Sequence, residues 1–345
     1  MRWPAMWPQC SASRRGERLS GVAIVSGTEA GAIERAAQAL AAGELVGVPT
    51  ETVYGLAARA DDDRAVARIF ETKGRPSDHP LIVHVVGRDQ AAQWAAPWSD
   101  GAEKLAAAFW PGPVTVIVQR AADSATTAAA GLPTLALRSP AHPVVRDLLA
   151  RCAELGVPGL AAPSANRFGH VSPTTAAHVR DEFGDDLLVL DGGACTLGIE
   201  SAIVDVSGDQ PVLLRPGVVG RDELERALGQ PLRDADEHSV RAPGTLENHY
   251  APRATLRLMS SDELRSALSL LPATVKGVAV YSRTAPRRHP LVRVMPDDPR
   301  AVAQELFAVL REFDDRGTKL IWVEQPPDTA PWEGVNDRLS RAASR

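Results

Sequence analysis

Residues 45–56 read LVGVPTETVYGL, and this stretch decides the fold. Residues 45–48 form a short apolar run with the β-branched content of a buried strand. Pro49 ends the run, and Thr50, Glu51 and Thr52 then crowd three polar side chains against its end. A plain turn does not need so many hydrogen-bonding groups beside an apolar strand. In open α/β sheets, ligand sites lie where strands hand over to loops. The stretch therefore predicts a sheet and a site at its edge.

The same alternation continues on both sides. Residues 29–42 place Ile33, Ala37 and Leu40 at helical spacing, with Gly43 as a stop. The aspartates at 61–63 can cap a helix whose inner face is Val66, Ile69 and Phe70, and Gly74 can end it. Residues 144–154 form an amphipathic helix through Val145, Leu148, Leu149 and Cys152. Apolar segments at 80–86, 114–119, 135–138, 159–162, 187–190, 202–206 and 212–214 read as strands. Residues 229–248 are polar and rich in Pro, Asp and Arg, the composition of a linker. Beyond it, strands at 255–259, 278–281 and 320–323 and helices at 262–271 and 300–313 predict a second, smaller α/β unit. The expected division is a tail at 1–20, an α/β domain at 21–228, a linker or lid at 229–253 and a C-terminal α/β domain at 254–345. The tail carries Pro4 and Pro8 and no apolar core of a secretory signal, so it reads as disordered or loosely docked.

Composition narrows the function. The 345 residues are 44% hydrophobic and 23% charged, as in ordinary soluble globular proteins. No run approaches the roughly 20 apolar residues of a membrane span. A formal net charge of −5 gives no reason to expect a stably held nucleic acid, although a local cationic cluster could still hold a small anion. Cys10, Cys152 and Cys195 are too few and too scattered for a disulfide framework or a structural zinc, and they fit a reducing cytoplasm. No GxxxxGK[ST] or GxGxxG loop is present.

Polar groups instead collect at strand and helix ends. Lys73 and Arg75 leave one helix end together, followed by His79 and His84. Taken alone, such cations are a favourable helix C-terminus, and a histidine inside a strand is usually a satisfied core residue. Thr134 and Arg138 bracket another strand, and a buried arginine is expensive unless it is paired. Small residues around Ser164 allow close backbone approach, while Ser172 resembles a helix N-cap. Ser201 and Arg215 punctuate two further apolar strands. No Ser-His-Asp order or carboxylate pair stands out. Four separate cations with hydroxyls suit holding anions in place, which is what phosphoryl or nucleotidyl transfer chiefly needs.

At this point the sequence resembles the threonylcarbamoyl-AMP synthases in their longer, two-domain form. The matching stretches are PTETVYGL (49–56), KGRPSDHPLIVHV (73–85), WPGPVT (110–115), LRSPAHP (137–143), APSAN (162–166), IESAIVDV (199–206) and LLRPG (213–217). APG (242–244), HYAP (249–252) and NDRLSRAA (336–343) extend the resemblance over the second domain. Each motif is weak alone, but the ordered set is specific. The resemblance implies an α/β fold, with a twisted, open mixed sheet as catalytic domain and a smaller Rossmann-like α/β domain at the C-terminus. It implies that L-threonine, bicarbonate and ATP give threonylcarbamoyl-adenylate and pyrophosphate. It also implies Mg2+ as cofactor, held mainly by phosphates and not by protein ligands, and a separate tRNA threonylcarbamoyl transferase downstream.

Carried over residue by residue, threonine contacts fall on Thr52, His84, Arg138, Ala162 and Ser201. Nucleotide contacts fall on Arg75, His79, Thr134, Ser164, Ser172, Arg215 and Tyr250, with Lys73 and Arg75 as the catalytic pair. Two departures stand out. Residues 243–248 read PGTLEN where the family commonly has a lysine, and Ala202 stands where threonine is frequent. Related domains also make carbamoyl-adenylate in hydrogenase maturation, or bind double-stranded RNA. The first is attended by acylphosphatase-like and zinc-finger-like segments not seen in this sequence, and the second by a basic stripe that is also not seen.

Overall fold

A computed structural model describes residues 24–244, 249–272, 275–285 and 291–344. The expected tail at 1–20 and the departure at 245–248 lie outside the described residues.

The first domain is built on an eleven-stranded mixed sheet. Its strands are β1 (Ile24–Ser26), β2 (Val46–Val48), β3 (Gly55–Arg59), β4 (Ile82–His84), β5 (Val114–Gln119), β6 (Thr134–Arg138), β7 (Leu160–Ala161), β8 (Leu188–Asp191), β9 (Ala202–Asp205), β10 (Val212–Arg215) and β11 (Arg233–Asp234). They lie in the order β1-β8-β2-β3-β7-β4-β6-β5-β9-β10-β11. Its helices are α1 (Ala32–Ala41), α2 (Asp63–Lys73), α3 (Arg88–Ala92), α4 (Asp100–Phe109), α5 (Pro143–Glu154), α6 (Ala176–Phe183) and α7 (Arg221–Leu228). Local chemistry sets the ends of α2. The Asp62 side chain accepts from the amides of Arg64 and Ala65, and Gly74 takes a left-handed conformation at the C-terminus.

The opening stretch is a hairpin. Val48 faces Gly55, Gly47 faces Leu56 and Val46 faces Ala57, so β2 and β3 run antiparallel with the polar run at their tip. The residues of β3 (GLAAR) include no β-branched side chain, which is why the sequence signal missed the strand. Alternation then sorts side chains between faces. Leu56 and Ala58 join one core with Ile69 and Leu105, whereas Ala57 joins another with Leu40 and Leu148. In the other half of the sheet, Ile82, Ile117, Ala136, Ile203 and Leu214 form a separate apolar face, and Val240 and Ala242 pack on it. The segment read as linker therefore covers bare sheet, and it contributes β11 to the sheet edge.

The second domain is a four-stranded, all-parallel sheet in the order β12-β15-β13-β14. Its strands are β12 (Thr255–Met259), β13 (Val278–Ser282), β14 (Val292–Val294) and β15 (Leu320–Glu324). Its helices are α8 (Ser261–Leu270), α9 (Pro299–Asp315) and α10 (Glu333–Ala343). Val53, Val171 and Ile199 of the first domain share a core with Leu306, Phe307 and Leu339 of the second. Among the described residues, no helix is long and apolar enough to cross a membrane.

The seam between domains is close. Gly198 has φ +76°, and a Cβ there would lie 2.3 Å from the carbonyl oxygen of Gln304. Replacing Gly198 with alanine adds overpacking worth about 1–3 kcal/mol to the left-handed backbone cost. Urea unfolding should therefore show G198A less stable by at least that amount, and unchanged stability would contradict this packing.

Candidate active site

The hairpin tip is organised by one hydroxyl. Thr50 Oγ1 donates to the carbonyl of Val53 (2.6 Å) and accepts from the amides of Thr52 and Val53 (3.2 Å each). This local turn frees Thr52 and Glu51 to face β6. At the end of β6, Arg138 donates to Glu51 Oε1 (2.6 Å), Thr52 Oγ1 (2.9 Å) and the carbonyl of Gly112 (3.1 Å). The other oxygen of Glu51 accepts from the amide of Ala141 at 3.0 Å. Arg138 is thus a paired charge and not the isolated one expected from the sequence. Three partners fix its guanidinium plane, and unused N–H groups remain for a ligand carboxylate.

Beside it, Ser201 shares a hydrogen bond with Thr115 Oγ1 (2.7 Å) and accepts from Arg215 Nη2 (3.3 Å). Arg215 also donates to the carbonyls of Ser201 (3.0 Å) and Pro243 (2.9 Å), which ties the linker over the site. Arg75 donates to the carbonyl of Pro80 at 3.0 Å, and its guanidinium lies 6.0 Å from the Phe168 ring centre. Burial, with nearby Arg215 against it, lowers the Arg75 pKa to about 10. Burial also lowers that of Arg215.

Thr52, Arg75, His84, Arg138, Ala162, Ser164, Ser201, Arg215 and Tyr250 line one cleft. Four buried polar atoms that find no partner belong to its lining, namely Arg75 Nε, His84 Nδ1, His249 Nδ1 and the Tyr250 hydroxyl. Buried polar groups are normally hydrogen-bonded, so a cluster of exceptions at one cleft calls for a ligand. His84 therefore keeps one ring nitrogen, Nδ1, without a partner.

The structure does not bring the remaining expected residues to the cleft wall. Lys73 is buried one layer behind it, and its ammonium donates to the carbonyls of Ser164 and Asn166. Burial, and then Arg75, holds its pKa well below the ordinary lysine value. His79 is half-buried, 3.7 Å from Asp78 and edge-on to Phe168. Thr134 begins β6, at the far end from Arg138. Ser172 is buried and donates to Glu200, whereas the N-cap of α6 is Thr175. Cys152 and Cys195 are free and buried.

Sequence reasoning assigned no role to Glu51, Glu200, His249 or Arg338. Arg338 on α10 is fully buried and pairs with Glu200 at 2.9 Å, and its guanidinium lies 5.4 Å from the Tyr250 ring centre. The only sequence signal for it was its place in NDRLSRAA.

These features define a two-domain α/β protein with a cleft lined by buried arginines. Comparison with known proteins is specific. A family model described as telomere recombination, covering the Sua5, YciO and YrdC proteins, matches residues 38–217. A second, described as threonylcarbamoyl-AMP synthase C-terminal domain, matches residues 219–344. The threonylcarbamoyl-AMP synthase of Bacillus subtilis is 37% identical over 90% of this chain and 92% of its own length. That of Pyrococcus abyssi is 36% identical over 87% and 91% respectively. A crystal structure of the P. abyssi Sua5 protein complexed with L-threonine superposes with a TM-score of 0.82, at 35% identity, covering 90% of this chain and 94% of that one. The chain belongs to the threonylcarbamoyl-AMP synthase family, in its two-domain form, and is an enzyme.

The buried histidines make stability depend on pH. Burial, with Arg138 adding, pushes His84 from 6.5 down to about 3. Burial, with Arg75 and Lys73 adding, holds His249 well below its ordinary value. Below pH 6.5 the unfolded chain takes up protons that the folded chain refuses. Their stabilising contribution is complete above that pH and is lost as pH falls toward the folded values. Each such group contributes a slope of about 1.4 kcal/mol per pH unit inside this window. Urea unfolding at about pH 7 and about pH 5.5 should show the loss. H84Q should reduce the slope by one proton, and an unchanged slope would contradict a neutral buried His84.

Proposed function

We propose that this enzyme makes threonylcarbamoyl-AMP and pyrophosphate from L-threonine, bicarbonate and ATP, in the cytoplasm, to supply tRNA modification. The observation that carries the reading is the charge pattern of the cleft. Arg75 and Arg215 are buried there without a carboxylate partner among the described residues, while Arg138 is held by Glu51 with donors to spare. Two anionic substrates fit this division, a carboxylate at Arg138 and a polyphosphate at Arg75 and Arg215.

In this reading Arg138 and Thr52 orient the threonine carboxylate, with His84, Ala162 and Ser201 around the rest of the amino acid. Arg75, Ser164, Arg215 and Tyr250 line the nucleotide side. Lys73 supports the site by holding the 164–166 loop. The threonine amine and bicarbonate give a carbamate and water. A carbamate oxygen then attacks the α-phosphorus of ATP, a P–O bond forms, and pyrophosphate leaves with the electrons of the broken bond. No side chain need form a covalent intermediate. Positioning and charge neutralisation carry the step. Mg2+ enters with the triphosphate as part of the substrate, held mainly by phosphate oxygens. The mixed anhydride is hydrolysed readily in water, so a covering linker and prompt handover to a separate tRNA transferase suit the chemistry.

Purified protein should release pyrophosphate only when threonine, bicarbonate and ATP are supplied together. Release without threonine, or none alongside tight binding of double-stranded RNA, would sink the reading. R138K keeps the charge but not the fork. Because a hydrogen bond to a charged group is worth about 1.5–3 kcal/mol, threonine KM should rise about 10- to 100-fold. ATP KM should stay near the wild-type value, and an equal rise in both would contradict the assigned division.

A further inference from the structure

We propose that Arg338 is a positioning residue for the nucleotide half of the cleft, and that the second domain acts on the reaction through it. The proposal rests on the synthase reading above. Arg338 sits on α10, in the other domain, and is 0% exposed. It donates through Nε to Glu200 Oε2 (2.9 Å), through Nη2 to the Glu200 carbonyl (3.2 Å) and through Nη1 to the Pro216 carbonyl (2.9 Å). Asp337 accepts from the same Nη1 at 2.7 Å. Glu200 and Pro216 adjoin Ser201 and Arg215, which are bonded to each other. One guanidinium therefore pins the backbone on both sides of that contact.

The same group bears on the linker. Its carbon lies 5.4 Å from the centre of the Tyr250 ring, and that ring stacks on Phe307 of α9 at 5.4 Å. Tyr250 has φ +62°, a left-handed conformation that costs a side-chain-bearing residue energy. The linker tyrosine is held against this strain by two helices of the second domain. Threonine-side groups have other anchors. Arg138 and Thr52 are fixed through Glu51, and the Ser201 hydroxyl through Thr115. Loosening Arg338 should therefore be felt mainly through Arg215 and Tyr250, on the nucleotide.

A simple domain staple would affect stability alone, so the test separates the two. Steady-state pyrophosphate release is measured well below the unfolding temperature for wild type, R338K, F307L and L339A. Leu339 is buried on the same helix, in the core that the two domains share, and makes no polar contact with Glu200 or Pro216. R338K keeps the charge and loses the fork, and its ATP KM should rise about tenfold while threonine KM changes less than about twofold. F307L should shift ATP KM in the same direction. L339A should lower the unfolding midpoint and leave both KM values unchanged. A folded R338K with wild-type ATP KM, or an L339A that reproduces the split, would overturn the proposal. Calorimetric binding of a non-hydrolysable ATP analogue to the same proteins keeps the test independent of turnover. Weaker binding to R338K supports the positioning role even where wild type releases no pyrophosphate, an outcome that sinks only the synthase reading.

Discussion

Desolvated positive charge is the constraint on which this structure depends. Arg75, Arg138 and Arg215 are buried in the lining of one cleft, and Lys73 and Arg338 are buried as well. Removing such groups from water is costly, and mutual repulsion adds to the cost. The fold meets the cost unevenly. Arg138 and Arg338 have carboxylates, Glu51 and Glu200, within ion-pair distance. Lys73, Arg75 and Arg215 have only backbone carbonyls and hydroxyls among the described residues. Carbonyls hold such a cation in place without cancelling its charge. On the proposed function, a phosphate or carboxylate arriving in the cleft would cancel it, so that the binding energy of a polyanion is prepared in advance.

The two glutamates divide the labour. Glu51 sits at the hairpin tip and joins β2–β3 to β6 through Arg138 and the amide of Ala141. Glu200 joins Ser172, its own loop and the second domain through Arg338. Breaking either pair leaves a buried charge uncompensated, typically a loss of about 3–5 kcal/mol. Such pairs give little net stability over apolar packing, and their value here is orientation. The linker completes the arrangement. Its described residues lie on the apolar sheet face at Val240 and Ala242, accept from Arg215 at Pro243, and return at His249 and Tyr250 inside the cleft wall.

Much of this was legible in the sequence. Strand β5 announced itself by its β-branched run at 114–118, and α2 by its aspartate cap and glycine stop. Arg138, Arg215 and Thr52 stood out because polar groups at the ends of apolar strands are unexpected, and Arg75 because it leaves a helix end together with Lys73. Strand β3 was invisible, since Gly55, Leu56, Ala57 and Ala58 become a strand only through pairing on both sides with β2 and β7. Which charge meets which was equally hidden. Glu51 and Arg138 lie 87 positions apart and Glu200 and Arg338 lie 138 apart, so only the sheet order and the domain seam bring them together. Lys73 shows the converse. Its motif suggested an active-site cation, whereas α2 turns its ammonium into the 164–166 loop behind the wall.

The most direct test of the charge division is a crystal structure of the protein with L-threonine and a non-hydrolysable ATP analogue bound together. The threonine carboxylate should lie within hydrogen-bond distance of Arg138 and Thr52, with the triphosphate against Arg75 and Arg215 and the Tyr250 ring beside the nucleotide. Triphosphate bound at Arg138, or either ligand held outside this cleft, would contradict it.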